Sequence, residues 1–189
     1  MRVIAGYAQG KRLKAPTGLH TRPITDMIKE ALFNVWGPDI FASQVLDLFA
    51  GSGSVGIEAL SRGANQVVFV DNDKNAINTI NENLHNCVFE NGFELFYRDV
   101  FKVLNIFSRK QRSFDFIYVD PPFTNDQIFD EVMKVLGKVG ILKDDGVLVI
   151  RTRKQRDLAP RFEQLIKYRI SNYGESTLHY YRCMEEGQE

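Results

Sequence analysis

The sequence predicts an α/β protein built on a Rossmann-like sheet of seven strands. The sheet is mostly parallel, covered by helices on both faces and finished by an antiparallel C-terminal edge strand, and a short N-terminal β-hairpin arm precedes it. Three observations predict this. Runs rich in β-branched and aromatic residues at 45–49, 67–70, 93–97, 114–119 and 147–150 alternate with segments of helical periodicity, so crossovers join the strands and make them parallel. Two further aromatic-rich runs, 167–173 and 177–183, are joined tightly through Gly174 and must run antiparallel. Finally, the first strand of the series runs into GSGSVG, a glycine turn placed where a strand hands over to a helix.

Taken in order, 2–7 reads as a strand, Gln9 and Gly10 as a turn, and 12–15 as a return strand. Pro16, Gly18 and Pro23 then mark irregular chain. Thr25 is placed to cap a helix whose apolar positions Ile28, Leu32, Val35 and Trp36 recur at helical spacing, with Asp26 in the favourable first turn and Gly37 and Pro38 as the stop. The alternation follows: strand 45–49, helix 55–62, strand 67–70, helix 74–85, strand 93–97, a helix from about Val100, strand 114–119, helix 126–138 and strand 147–150. A helix is expected over 158–166, before the closing hairpin. The chain divides into a basic arm at 1–24, one α/β domain at 25–184 and a frayed tail at 185–189.

A length of 189 residues suits one core of ordinary size. Apolar residues at 44% and charged residues at 25% exclude a largely disordered chain. There is no apolar run of the roughly 18 residues a membrane span requires and no signal-peptide core, so no membrane partner and a cytoplasmic location are expected. Cys87 and Cys183 stand alone as reduced thiols, and no metal site is suggested. The formal net charge is zero, but it is unevenly distributed. Residues 1–25 carry five Lys/Arg (Arg2, Lys11, Arg12, Lys14, Arg22) and no acid, and 151–182 is also basic. Basic termini around an acidic middle fit a polyanionic partner.

The chemistry gathers at strand ends. In FDFIYVDPPF the strand stops at Asp120, and Pro121 and Pro122 fix the backbone and donate no hydrogen bond. Phe123 adds a flat apolar face. A carboxylate, unpaired carbonyls and a ring within four residues make a place to hold a planar group bearing an amine. Gly51, Gly53 and Gly56 have the G-x-G-x-x-G spacing, which nicotinamide and flavin enzymes also use. Asp47, four residues before Gly51, is foreign to the nicotinamide fingerprint. Asp71, 20 residues after Gly51, ends the second strand where an acid can accept ribose hydroxyls. Asp99 ends the third, where its carboxylate could take an adenine amino group while the Val100 N–H meets a ring nitrogen. Aspartates at three neighbouring strand ends describe a pocket for a nucleoside with a positively charged substituent, and S-adenosylmethionine fits that description.

The 47–56 segment resembles the cofactor loop of class I S-adenosylmethionine-dependent methyltransferases, and Asp120, Pro121, Pro122 and Phe123 resemble the catalytic tetrapeptide of those that methylate exocyclic amines of nucleobases. More closely, 2–182 resembles the bacterial family that methylates the amine at position 2 of a guanine in small-subunit (16S) ribosomal RNA. RVIAGYAQGKRLKAP and TRPITDMIKEALFNVW resemble its arm and first helix, and YGESTLHYYR its last hairpin. Ile24 and Met27 depart from residues common in that family. The resemblance implies the seven-stranded methyltransferase sheet and S-adenosylmethionine held by Asp47, Phe49, Gly51, Gly53, Asp71, Asp99 and Val100. It also implies catalysis at 120–123 and a monomer acting on ribosomal RNA within a small-subunit assembly particle. The arm cations, with Arg22 at the junction to the first helix, are the expected RNA contacts. Competing readings are an adenine-N6 DNA or RNA methyltransferase, for which a target-recognition domain is lacking, a protein glutamine methyltransferase, and a nucleic-acid-binding module that keeps the cofactor fold without catalysis. A nicotinamide oxidoreductase fits least, since no Tyr–Lys pair lies beside the crevice.

Overall fold

A computed structural model describes residues 1–17 and 24–184; the expected RNA contact Arg22 and the tail from 185 lie outside the described residues. Helix α1 (Asp26–Trp36) begins as expected, with the Thr25 hydroxyl accepting the Ile28 N–H at 3.3 Å. Strand β1 (Gln44–Leu48), helix α2 (Ser54–Ser61), β2 (Gln66–Asp71), α3 (Lys74–Asn86), β3 (Phe93–Tyr97), α4 (Val100–Arg109), β4 (Phe114–Val119) and α5 (Gln127–Val139) follow in strict alternation. The chain ends in β5 (Leu142–Arg153), β6 (Arg161–Phe162), β7 (Leu165–Tyr173) and β8 (Ser176–Cys183). The sheet order is β3-β2-β1-β4-β5-β8-β7-β6. The first five strands pair in parallel and the last three antiparallel.

The core lies on both faces of the sheet. Ile28, Leu32, Phe33 and Trp36 of α1 join α2 and α3 on one face, while Val103, Phe107, Val132 and Met133 of α4 and α5 cover the other. Strands enclosed this way read as continuous apolar runs, as 67–70 of β2 and 116–119 of β4 do. The chain reverses direction across the sheet between β1 and β4. In an open α/β sheet, the crevice beyond the C-terminal ends of the strands at such a switch point is where ligands bind.

Four expectations need correction. The sheet has eight strands, not seven, because 161–162 pairs with 165–166. This also replaces the helix expected over 158–166. Leu158, Phe162 and Leu165 are spaced as on a helix, but Pro160 removes a helical donor and Glu163 turns the chain at φ 50°. The antiparallel C-terminal strand is present but lies inside the sheet, between β5 and β7, and Leu178 to Tyr181 are buried without interruption, which requires cover on both faces. The arm, finally, has a single bridge between Arg2 and Arg12 instead of two hairpin strands. Its outgoing donors are engaged by α2: Ile4 N–H and Ala5 N–H bond the Glu58 carboxylate at 2.7 and 3.0 Å, and Tyr7 N–H bonds the Ser61 carbonyl at 2.7 Å. Gly6 allows this approach, since a Cβ there would lie 1.8 Å from the Ser61 oxygen.

Glu58 is wholly buried and also takes the Arg62 Nε at 2.8 Å and the Lys29 Nζ at 3.2 Å. Lys29, 1% exposed, completes the knot by donating to the Arg2 carbonyl and the Ser54 hydroxyl. The arm is therefore fastened to α1 and α2 through buried charge. No described helix is long and apolar enough to cross a membrane.

Candidate active site

The glycine loop is held from two sides by carboxylates. At the end of β1 the chain passes through Phe49 in the left-handed region (φ 57°), an uncommon conformation for a bulky residue, and then through Gly51 and Gly53 at φ 57° and 71°. The Asp71 carboxylate accepts the Gly51 N–H at 2.8 Å on one oxygen and the Asp73 N–H at 2.9 Å on the other. Asp47 accepts the Gly56 N–H at 3.0 Å. Burial pushes the carboxyl pKa of Asp71 up and that of Asp47 up much further, so both favour a cationic neighbour.

The contact between Asp47 and Gly56 matters for the kind of ligand the loop can take. A nucleotide pyrophosphate would seat its negative charge on the N–H groups opening α2. Here the Asp47 side chain already takes one of those N–H groups, so that group is not free for an anion. A sulfonium and an α-amino group meet opposite charge, and the residues present therefore fit S-adenosylmethionine better than a dinucleotide. At the end of the third strand, Asp99 accepts the Lys102 N–H at 3.1 Å and caps α4, of which Val100 is the first residue. Its carboxylate is thus tied to a helix on one oxygen.

Asp120 stands at the end of β4, beside β1, with its N–H bonded to the Leu48 carbonyl at 3.2 Å. One carboxylate oxygen accepts the Arg151 Nε at 2.9 Å, and the other the Tyr118 hydroxyl at a long 3.3 Å. Burial raises the Asp120 pKa and the Arg151 charge pulls it part of the way back; burial also keeps Tyr118 a neutral phenol. A carboxylate can accept about four hydrogen bonds, and these two leave it able to take more. Pro121 is buried, while Pro122 and Phe123 are half-exposed. The Phe123 ring leans on Phe129 with centroids 6.0 Å apart, and the guanidinium carbons of Arg151 and Arg153 lie 5.4 and 5.6 Å from its centroid. Arg153 further fixes the tetrapeptide by donating to the Phe123 carbonyl at 2.8 Å.

The structure thus brings Asp47, Phe49, Gly51, Gly53, Asp71 and Asp120 to the ends of three adjacent strands, with Asp99 and Val100 at the end of the next one. The arm cations are more scattered. Arg2 pairs with Asp26 and Lys14 with Glu82, while Lys11 and Arg12 are exposed without an ion pair among the described residues. Sequence reasoning missed Tyr118, Arg151 and Arg153. Tyr118 was within reach, since two residues before Asp120 on a strand means the same face. Arg151 falls in the basic stretch 151–182 expected to face a polyanion, yet its side chain is only 5% exposed. The signal for it was a cation at the C-terminal end of the strand neighbouring the one that bears Asp120.

The family described as Conserved hypothetical protein 95 matches residues 1–182. The chain belongs to that family. Among its relatives, a Bacillus subtilis protein named as a candidate rRNA methyltransferase is 36% identical over 174 residues, 92% of this chain and 94% of that protein. Ribosomal RNA small subunit methyltransferase D of Haemophilus influenzae is 35% identical over 160 residues, covering 84% of this chain and 81% of the relative. A solved Escherichia coli structure, described as a candidate methyltransferase, superposes with a TM-score of 0.82 at 27% identity, covering 97% of each chain. Membership thus spans the arm, the glycine loop and the Asp120 site together.

Proposed function

We propose that this protein transfers a methyl group from S-adenosylmethionine to the exocyclic N2 amine of a guanine in small-subunit ribosomal RNA. The observation that carries the reading is the Asp120 carboxylate, half-buried at a strand end, oriented by Arg151 and still able to accept hydrogen bonds beside the Phe123 ring. The names of the relatives supply the RNA, and the fit of the loop to a cationic nucleoside supplies the donor.

Asp47, Phe49, Gly51, Gly53, Asp71, Asp99 and Val100 would hold S-adenosylmethionine. When bound, it supplies a methyl group on a positively charged sulfur. The guanine amine is a poor nucleophile because its lone pair is delocalised into the ring. Accepting its hydrogens on the Asp120 carboxylate and the Pro121 carbonyl localises that pair on nitrogen and aims it. Arg151 keeps the carboxylate ionised and fixed, and Phe123 holds the base flat. Orientation of this kind can supply roughly 7–11 kcal/mol of barrier reduction. Extruding a base from a helix costs a few kcal/mol, and stacking on an aromatic ring returns about 1–3. The arm at 1–24, through Arg2, Lys11, Arg12, Lys14 and Arg22, contacts phosphates. The reading carries with it a cytoplasmic monomer whose substrate is the RNA of a small-subunit assembly particle.

Incubation with radiolabelled S-adenosylmethionine and either protein-depleted ribosomal RNA or assembled small-subunit particles tests it. Label is expected in RNA for at least one acceptor, and label confined to protein would overturn the substrate.

A further inference from the structure

Most cations of the C-terminal region are already committed. Arg151 bonds Asp120, Arg153 the Phe123 carbonyl, Arg156 Asp130 and Lys167 Asp157. Arg169 and Arg182 differ: both are exposed and neither makes an ion pair among the described residues. Between them stands Tyr168, 42% exposed. The Arg182 guanidinium carbon lies 5.8 Å from the Tyr168 ring centroid, and that ring sits 6.2 Å from the buried Tyr180, over which Arg169 is placed at 5.4 Å.

Strand register relates this cluster to the active site. Arg169 pairs with Tyr180, Tyr180 with Val149 and Val149 with Tyr118, so all four lie in one row across the sheet. Tyr180, Val149 and Tyr118 share the core cluster on the α1 face. Asp120 and Arg151 follow Tyr118 and Val149 by two residues and therefore point to the same face. From β4 to β7 the order β4-β5-β8-β7 spans three strand spacings, about 14 Å. An exposed aromatic ring flanked by two cations without an ion pair among the described residues thus shares a face with the catalytic carboxylate, a short distance across the sheet; the Arg169 side chain donates to the Ser171 hydroxyl, at 3.3 Å.

The chemistry selects the occupant. Past 166 the outer side of β7 has no partner strand among the described residues, but the bulge between Lys167 and Arg169 and the charges along the strand oppose addition of a protein strand. An aromatic face with cations beside it is the combination that grips single-stranded nucleic acid, through base stacking and phosphate contacts. We propose that Tyr168, Arg169 and Arg182 form a platform that binds an unpaired nucleotide flanking the target base, with Tyr168 stacking on the base and the two arginines contacting phosphate. This deepens the ribosomal RNA reading and rests on it.

The test uses the full chain with whichever acceptor is methylated, protein-depleted small-subunit RNA or the assembled particle. Tyr168→Ala is expected to raise both the Kd and the KM for that acceptor at least about fivefold, with kcat, the Kd for S-adenosylmethionine and the thermal midpoint unchanged. Tyr168→Phe keeps the stacking face and should remain within about twofold of wild type. Arg169→Gln with Arg182→Gln should flatten the plot of log affinity against log salt by about 1.4, two contacts on a single strand. A folded Tyr168→Ala variant with wild-type Kd and KM would overturn the platform while leaving the methyl-transfer reading intact. A wild type that binds ribosomal RNA yet methylates neither acceptor would overturn that reading and leave RNA binding by Tyr168→Ala to decide the platform. A wild type that neither binds nor methylates would overturn both.

Discussion

Two acid–base pairs of this molecule, Glu58 with Lys29 and Asp120 with Arg151, are made of the same chemistry and put to opposite uses. Glu58 is 0% exposed and saturated: two arm N–H groups, Arg62 and Lys29 all converge on it. Asp120 is 18% exposed and unsaturated, with one short bond from Arg151 and one long bond from Tyr118. The first pair closes a joint between the arm and the helices. The second faces a crevice with acceptor capacity unspent. A buried carboxylate becomes structural when its neighbours exhaust its lone pairs and chemical when they only aim it.

The largest expected effect breaks the closed pair. Glu58→Ala leaves Lys29 buried without its carboxylate and strands two arm donors, and loss of one partner of a buried pair typically costs about 3–5 kcal/mol. Denaturant titration should show that loss, with Glu58→Gln falling between it and wild type. Next comes the open pair. Asp120→Ala should slow single-turnover transfer on the order of 10²-fold or more while keeping S-adenosylmethionine affinity within about threefold. Wild-type turnover in this variant would remove Asp120 from the mechanism.

Arg151→Met separates aiming from acceptance. Activity needs Asp120 ionised, so it falls as pH drops through the Asp120 pKa, which burial raises and Arg151 holds back. Without Arg151 the acid limb of the kcat profile should move to higher pH and the plateau should fall about tenfold; an unmoved limb would show that the arginine only packs. Asp47→Asn is expected to act in two directions. The Asp47 pKa is raised in the folded protein, so its contribution to stability is full below the ordinary carboxyl pKa and lost as pH rises through the raised value. The amide keeps an acceptor for Gly56 and avoids that loss, so the unliganded thermal midpoint should rise at neutral pH. The same change should weaken S-adenosylmethionine binding about tenfold, by analogy with loss of one charge-assisted bond. The smallest effect lies on the arm, where Lys11→Gln with Arg12→Gln should reduce the salt dependence of RNA binding by a slope of about 1–2.

The closed joint was much less legible from the sequence than the open site. Asp120, the glycine loop and the strand-end aspartates are local signals: each sits where an apolar run stops, and at Asp120 and the loop prolines or glycines mark the stop as well. The helices fared as well wherever a cap and a periodic stripe agreed, as in α1. Glu58 sits within α2 with no local mark, because its arm partners lie 53 and 54 residues away and its α1 partner, Lys29, is also distant in sequence. Arg151 was hidden for the same reason, since only the β4–β5 pairing brings it to Asp120. The segment 158–166 misled because a tight hairpin that buries Leu158, Phe162 and Leu165 repeats the spacing of a helix.

Nucleoside analysis of methylated product is the most direct test of the account. Small-subunit ribosomal RNA labelled by the wild-type protein and digested to nucleosides is predicted to carry its label as N2-methylguanosine, with none formed by Asp120→Ala. Label in N6-methyladenosine, or equal label from the variant, would contradict the assignment of Asp120 as the acceptor that aims a guanine amine.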